Sequence, residues 1–83
     1  MEPIAIHFYT KKNCPLCDKG KAIVEELATE FPIILYEHDI YQDDQLLELY
    51  QLMIPVVEIE GEQVNYGIIK KDLLRKRLLQ RMG

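Results

Sequence analysis

Tyr9-Thr10-Lys11-Lys12-Asn13-Cys14-Pro15-Leu16-Cys17 is the stretch on which the reading of the fold turns. It holds both cysteines of the 83-residue chain, three apart, directly after the apolar run Ile4-Ala5-Ile6-His7-Phe8-Tyr9 and directly before a helical pattern. The first N–H groups of a helix lack internal partners, and with the macrodipole they amount to about half a positive charge. With Cys14 as N-cap, Pro15 falls at N1, where its fixed φ and missing donor cost nothing. Cys17 then falls at N3, one turn further in. A cysteine sulfur among unpartnered amides is favoured as thiolate, the species that attacks disulfides, and Lys11 or Lys12 can add to the effect. Helix positions i and i+3 are also close enough for a disulfide to close without unfolding the turn. The segment therefore reads as a dithiol–disulfide site.

Outward from this stretch, Ile4 to Tyr9 reads as a buried strand and Pro15 to Glu30 as an amphipathic helix. Leu16, Ile23, Leu27 and Phe31 mark the apolar face of that helix, and Gly20 lies on the same side. Phe31-Pro32 ends it. Ile33 to Ile40 is a second strand, so strand, helix and strand form a right-handed βαβ unit with parallel strands. Asp43 or Asp44 caps a second helix that runs to about Leu52, with Leu46, Leu47, Leu49, Tyr50 and Met53 as its apolar residues. Ile54-Pro55-Val56-Val57-Glu58-Ile59 is a strand that opens on proline, where the missing N–H is tolerated. Glu60-Gly61-Glu62 turns it back into a strand at Gln63 to Tyr66. A last helix, Ile68 to Met82, points Ile69, Leu73, Leu74, Leu78 and Met82 inward. The order βαβαββα makes residues 1–83 one α/β domain, without linker or repeat.

Composition narrows the function. No apolar run approaches the length of a membrane span, and the Met-Glu-Pro start carries no signal-peptide pattern, so a cytoplasmic location is expected. In a reducing compartment a purely structural bridge across so short a loop is disfavoured. Net charge is −4, yet no Lys or Arg occurs between Ala22 and Ile69. The bases gather around the cysteines (Lys11, Lys12, Lys19, Lys21) and along the last helix, from Lys70 to Arg81. The negative sum and the lack of interleaved aromatics argue against nucleic acid. His7 and His38 fall in strands and no spacing aims either at Cys14; for His7 a hydrogen-bonded interior or edge role is preferred to catalysis.

With this order in hand, the chain resembles the glutaredoxin branch of the thioredoxin superfamily, and in particular its short glutaredoxin-like members. The likeness rests on Phe8-Tyr9-Thr10-Lys11 before Cys14-Pro15-Leu16-Cys17, on Ile54-Pro55-Val56 as a cis-proline segment, and on the hairpin and closing helix in the family's order. It implies a thioredoxin fold: a four-stranded mixed sheet in the order 2-1-3-4, with helices one and three on one face and helix two on the other. It also implies that Cys14 is the exposed nucleophile and Cys17 the resolving thiol. Lys11, Pro15, Leu16, Ile54 and Pro55 would contact substrate, with the Ile54 backbone free to bond an extended segment and Lys11 favouring the thiolate or meeting a glutathione carboxylate. The chain departs from the pattern in two places. Leu16 stands where a tyrosine is usual, and Asn65-Tyr66-Gly67-Ile68-Ile69-Lys70 has a single glycine and no acid until Asp72, where glutaredoxins place a glutathione-binding turn.

The resulting expectation is a monomeric thiol–disulfide oxidoreductase acting on a disulfide-containing protein or small thiol. No cofactor or metal is bound, and glutathione or a thioredoxin-reductase-like partner serves as reductant. Two other classes remain open at this stage. One is a metal or iron–sulfur protein in which a second copy completes a thiolate site; the other is a redox-inert binding module.

Overall fold

A computed structural model describes residues 2–82 of the chain. Strand β1 (Ile4–Thr10) passes through helix α1 (Pro15–Leu27) to β2 (Ile33–Asp39), and a 3₁₀ turn at Ile40–Gln42 leads to α2 (Asp44–Tyr50). Strands β3 (Val56–Ile59) and β4 (Glu62–Tyr66) form a hairpin, and α3 (Lys71–Met82) closes the chain. The sheet order is β2-β1-β3-β4, with β1 parallel to β2 and antiparallel to β3.

Period-two alternation along the strands divides the interior into two layers. Ile4, Ile6 and Phe8 of β1 and Val57 and Ile59 of β3 share one cluster with Val24 and Leu27 of α1 and Leu74 and Leu78 of α3. Tyr9 and Val56 belong to a second cluster with Ile40, against which Leu46, Leu47, Tyr50 and Met53 pack. Helices α1 and α3 thus cover one face and α2 the other, as the resemblance implies. Among the described residues no helix is long and apolar enough to cross a membrane.

The boundaries and faces differ from the sequence reading in physically informative ways. Helix α1 stops at Leu27, and its buried row is Cys17, Gly20, Val24 and Leu27. Leu16, expected on the inward face, is 38% exposed. The reason is that Gly20 lets α1 lie against Phe8 and Ile69, which turns the row beginning at Cys17 toward the sheet. Strand β2 ends at Asp39, whose side chain accepts from the Tyr41 N–H at 2.9 Å and turns Ile40 into the second core. Helix α2 ends at Tyr50, and Leu49 within it and Leu52 beyond it are both exposed. The hairpin turn is the pair Glu60-Gly61, with φ of 52° and 82°. Two successive positive φ values are what a tight hairpin connection demands. Helix α3 begins at Lys71, leaving Ile69 buried ahead of it and Leu73 exposed.

The bases of α3 do more than face solvent. Lys71 meets Glu26 at 2.7 Å, Arg75 meets Glu30 at 2.6 Å and Arg77 meets Glu62 at 2.8 Å, so the helix is tied to α1, to the segment that follows it and to the hairpin.

Candidate active site

The end of β1 delivers the cysteines. Asn13 adopts φ 55°, a left-handed conformation that asparagine tolerates better than most residues. Cys14 then returns to extended backbone, φ −125° and ψ 99°, as the N-cap of α1 with Pro15 in the first turn. Its Sγ accepts the Cys17 N–H at 3.1 Å, and its carbonyl accepts the Asp18 N–H at 3.0 Å. The two sulfurs are joined as a disulfide across a Cα–Cα distance of 5.2 Å. In this oxidised state Cys14 is 8% exposed and Cys17 1% exposed. Cys14 is the more open of the pair, though far less open than an exposed nucleophile would be. Pro15, Leu16, Lys12 and Asn13 around it are exposed, and Lys11 is half-buried.

The opposite wall is the start of β3. The Ile54-Pro55 bond is cis. Because Tyr9 pairs with Val56, Pro55 lies beside the chain leaving β1 for Cys14. The loop is fixed from two directions. The Gly67 N–H donates to Met53 O at 3.0 Å and to Pro55 O at 2.8 Å, while Met53 N and Ile54 N donate to Tyr50 O at 2.8 and 3.1 Å. The Ile54 N–H is therefore used by the end of α2, which revises the expectation of a free Ile54 backbone. Asn65 closes the turn after β4 on itself: its Oδ1 accepts the Lys70 N–H at 2.8 Å and its Nδ2 donates to Ile68 O at 3.3 Å.

Sequence reasoning missed a polar cluster on the α2 face of the sheet. Glu58 accepts from Tyr9 OH at 2.8 Å and from Tyr50 OH at 3.2 Å. Burial first and the Glu58 carboxylate second hold the Tyr9 phenol well above its usual range. Burial, followed by the Glu58 charge and hydrogen bond, raises Tyr50 too. Glu58 thus joins the strand that leads to Cys14 with the helix that leads to Ile54-Pro55. His7 Nδ1 and His38 Nε2 lie 2.8 Å apart. With ring centroids 5.0 Å apart and planes at 12°, the imidazoles meet edge to edge rather than face to face. Burial, then the neighbouring His7, lowers the His38 pKa, against a smaller opposing effect of Glu58. Among the described residues no group of three or more His, Cys, Asp or Glu is arranged to hold a metal. The signal for this cluster was the strand register. His7 pairs with Tyr36 and Tyr9 with His38 across β1 and β2, and both pairs stack at 4.9 Å.

A family model described as Glutaredoxin-like domain (DUF836) matches residues 5–79. A thioredoxin of Methanocaldococcus jannaschii is 26% identical over 85 residues, spanning 99% of this chain and 100% of that protein. Among solved structures, protein Ne2328 from Nitrosomonas europaea superposes with a TM-score of 0.82 at 22% identity, covering 94% of each chain. A point mutant of thioredoxin from Halobacterium salinarum gives 0.71 at 20% identity, covering 95% of this chain and 74% of its own. These structural likenesses establish the fold.

Proposed function

Because this chain belongs to the glutaredoxin-like domain family, we propose that it is a thiol–disulfide oxidoreductase with Cys14 as nucleophile and Cys17 as resolving thiol. The observation that carries the reading is the placement of Cys14 at the N-cap of α1, its Sγ accepting the Cys17 N–H and bonded to Cys17. Reduction of that bridge leaves the Cys14 sulfur facing a helix N-terminus, where its charge is stabilised.

The proposed reaction is a dithiol exchange. Cys14 thiolate attacks one sulfur of a substrate disulfide, and the other sulfur leaves as a thiolate that takes a proton. The Cys17 thiol, losing its proton, attacks Cys14 Sγ, expels the second substrate thiol and forms the intramolecular bridge. Two electrons pass from the dithiol to the substrate. Two glutathione thiols, oxidised to their disulfide, or a thioredoxin-reductase-like partner return them. Lys11, Pro15 and Leu16 on one wall and Ile54 and Pro55 on the other form the substrate rim. The Asn65 turn, which uses the Lys70 amide itself, favours a reductant other than glutathione.

Cys14→Ser should abolish reduction of a small mixed disulfide, and Cys17→Ser should accumulate the covalent adduct at Cys14, detected by mass. Wild-type turnover by Cys14→Ser would remove the assignment. Oxidised protein offered glutathione with its reductase, or thioredoxin reductase with NADPH, should regain two free thiols faster from the second system.

A further inference from the structure

Helix α2 is tied to the sheet at one polar point. It has no fully buried residue, and Leu46, Leu47 and Tyr50 rest partly buried against Tyr9, Ile40 and Val56. Among the described residues, the bond from Tyr50 OH to Glu58 Oε2, at 3.2 Å, is the one side-chain hydrogen bond between this helix and the sheet. The other oxygen of the same carboxylate, Oε1, accepts Tyr9 OH at 2.8 Å. One carboxylate therefore receives a donor from α2 and a donor from β1, and hydrogen bonds to an ionised acceptor are stronger than neutral ones. Burial, with the carboxylate alongside, keeps both phenols protonated as donors. The Tyr9 ring is also held between Tyr50, with centroids 4.7 Å apart, and His38, stacked at 4.9 Å.

What hangs from this tie is the wall of the site opposite the cysteines. Tyr50 is the last residue of α2, and its carbonyl accepts the amides of both Met53 and Ile54. Tyr9 pairs with Val56, the residue that follows the cis bond at Ile54-Pro55. Glu58 thus acts on both ends of the short segment from Met53 to Val56. The cysteine wall is built by other means. The Cys14 sulfur and carbonyl accept the Cys17 and Asp18 amides at the start of α1. The two walls are fixed separately, so one can loosen while the other keeps its chemistry.

We propose that Glu58 is a positioning residue: through Tyr50 and Tyr9 it holds the Ile54-Pro55 wall at the spacing from Cys14 that a disulfide-bearing chain requires. The proposal rests on the oxidoreductase reading and adds to it a residue outside the sulfur chemistry. A site whose second wall is in place only part of the time binds with an affinity reduced by that fraction. The attack of Cys14 on a bound disulfide is unaffected. The signature is weaker binding at an undiminished limiting rate.

Single-turnover reduction of a fluorogenic peptide disulfide by excess pre-reduced protein, followed against protein concentration, provides the test. Tyr50→Phe removes one donor and Glu58→Leu removes both acceptors. Each should raise the half-saturating concentration about tenfold, the lower end of what one hydrogen bond to a charged group contributes. Their limiting rates, and the rate at which iodoacetamide labels Cys14, should match wild type. Glu58→Gln should bind as wild type does, since an amide accepts from one phenol and donates to the other. Tyr50→Phe decides alone if Glu58→Leu fails to fold. Unchanged half-saturation in Tyr50→Phe overturns the positioning role and leaves the oxidoreductase reading standing. Limiting rate and Cys14 labelling that fall in step with affinity overturn it as well, because the tie is then general packing. Glu58→Gln as weak as Glu58→Leu also overturns it, since charge and not the double bond is then the agent. Wild-type protein that leaves the peptide oxidised overturns both this assignment and the oxidoreductase reading.

Discussion

A methyl group at position 20 would sit 2.9 Å from Ile69 Cγ1 and 3.3 Å from the Phe8 ring. Both neighbours are buried, and neither contact is the loose end of a long side chain. Gly20→Ala gains about 1 kcal/mol of helix propensity, but overpacking of this kind costs about 1–3 kcal/mol. We expect a net loss near 1 kcal/mol and a melting temperature lower by about 4–8 °C; an unchanged or higher Tm would show that α1 can shift freely. His38 sets a second residue-scale test. Its folded pKa is lowered, chiefly by burial, so the unfolded chain takes up a proton first as pH falls below about 6.5. Stability should therefore decline from about pH 6.5 downward. His38→Gln should flatten that slope in urea unfolding, and an identical slope would contradict the assignment. The opposite limb belongs to Tyr9: above about pH 10 the unfolded phenol ionises before the folded one. Stability should fall again there, less steeply in Tyr9→Phe. Neither pairing announced itself in the sequence, because His7 and His38 stand 31 positions apart and Tyr9 and Glu58 stand 49 apart. Only the register of β1 with its two neighbours makes them partners.

At the scale of elements, α1 was readable and α2 only partly so. Cysteine before proline at the mouth of an amphipathic run fixes a helix start locally, and the N-cap falls at Cys14 as the spacing requires. Which face turns inward is a tertiary matter, decided by the fit of Gly20 against Phe8 and Ile69 and not by the count of leucines. Helix α2 is short, has no fully buried residue, and leaves Leu52 95% exposed. It depends on Asp43, whose Oδ1 accepts from Gln45 N at 2.9 Å and Leu46 N at 3.4 Å. Asp43→Ala should cost about 1 kcal/mol. Elements with few buried contacts open most readily, so that cost should appear as faster hydrogen exchange confined to α2 and to Met53 and Ile54, whose amides bond Tyr50 O. Exchange that quickened equally in α1 and α3 would mean that α2 is no separate unit of opening.

Across the whole molecule, the βαβαββα order was legible in the residues, whereas strand order and helix faces were implied by the family resemblance, and the observed sheet has that order. The α2-face cluster, the engaged Ile54 amide and the ion pairs that α3 makes with Glu26 of α1 and with Glu30 beyond it depend on long-range packing, which local periodicity does not encode. What the fold achieves as a unit is to bring a helix N-terminus, two cysteines and the proline at the head of β3 to one end of the sheet. Cys14 is therefore predicted to be ionised in reduced protein at neutral pH, despite its shallow exposure. Alkylation of the reduced protein with iodoacetamide across pH, with each cysteine mapped by mass, measures this directly. The account predicts that Cys14 reacts first, and at lower pH than an ordinary thiol, because a thiolate at a helix N-terminus is stabilised, and that Cys17 stays largely unmodified. A Cys14 rate that follows an ordinary thiol near pH 8.5, or equal labelling of both sulfurs, would contradict it.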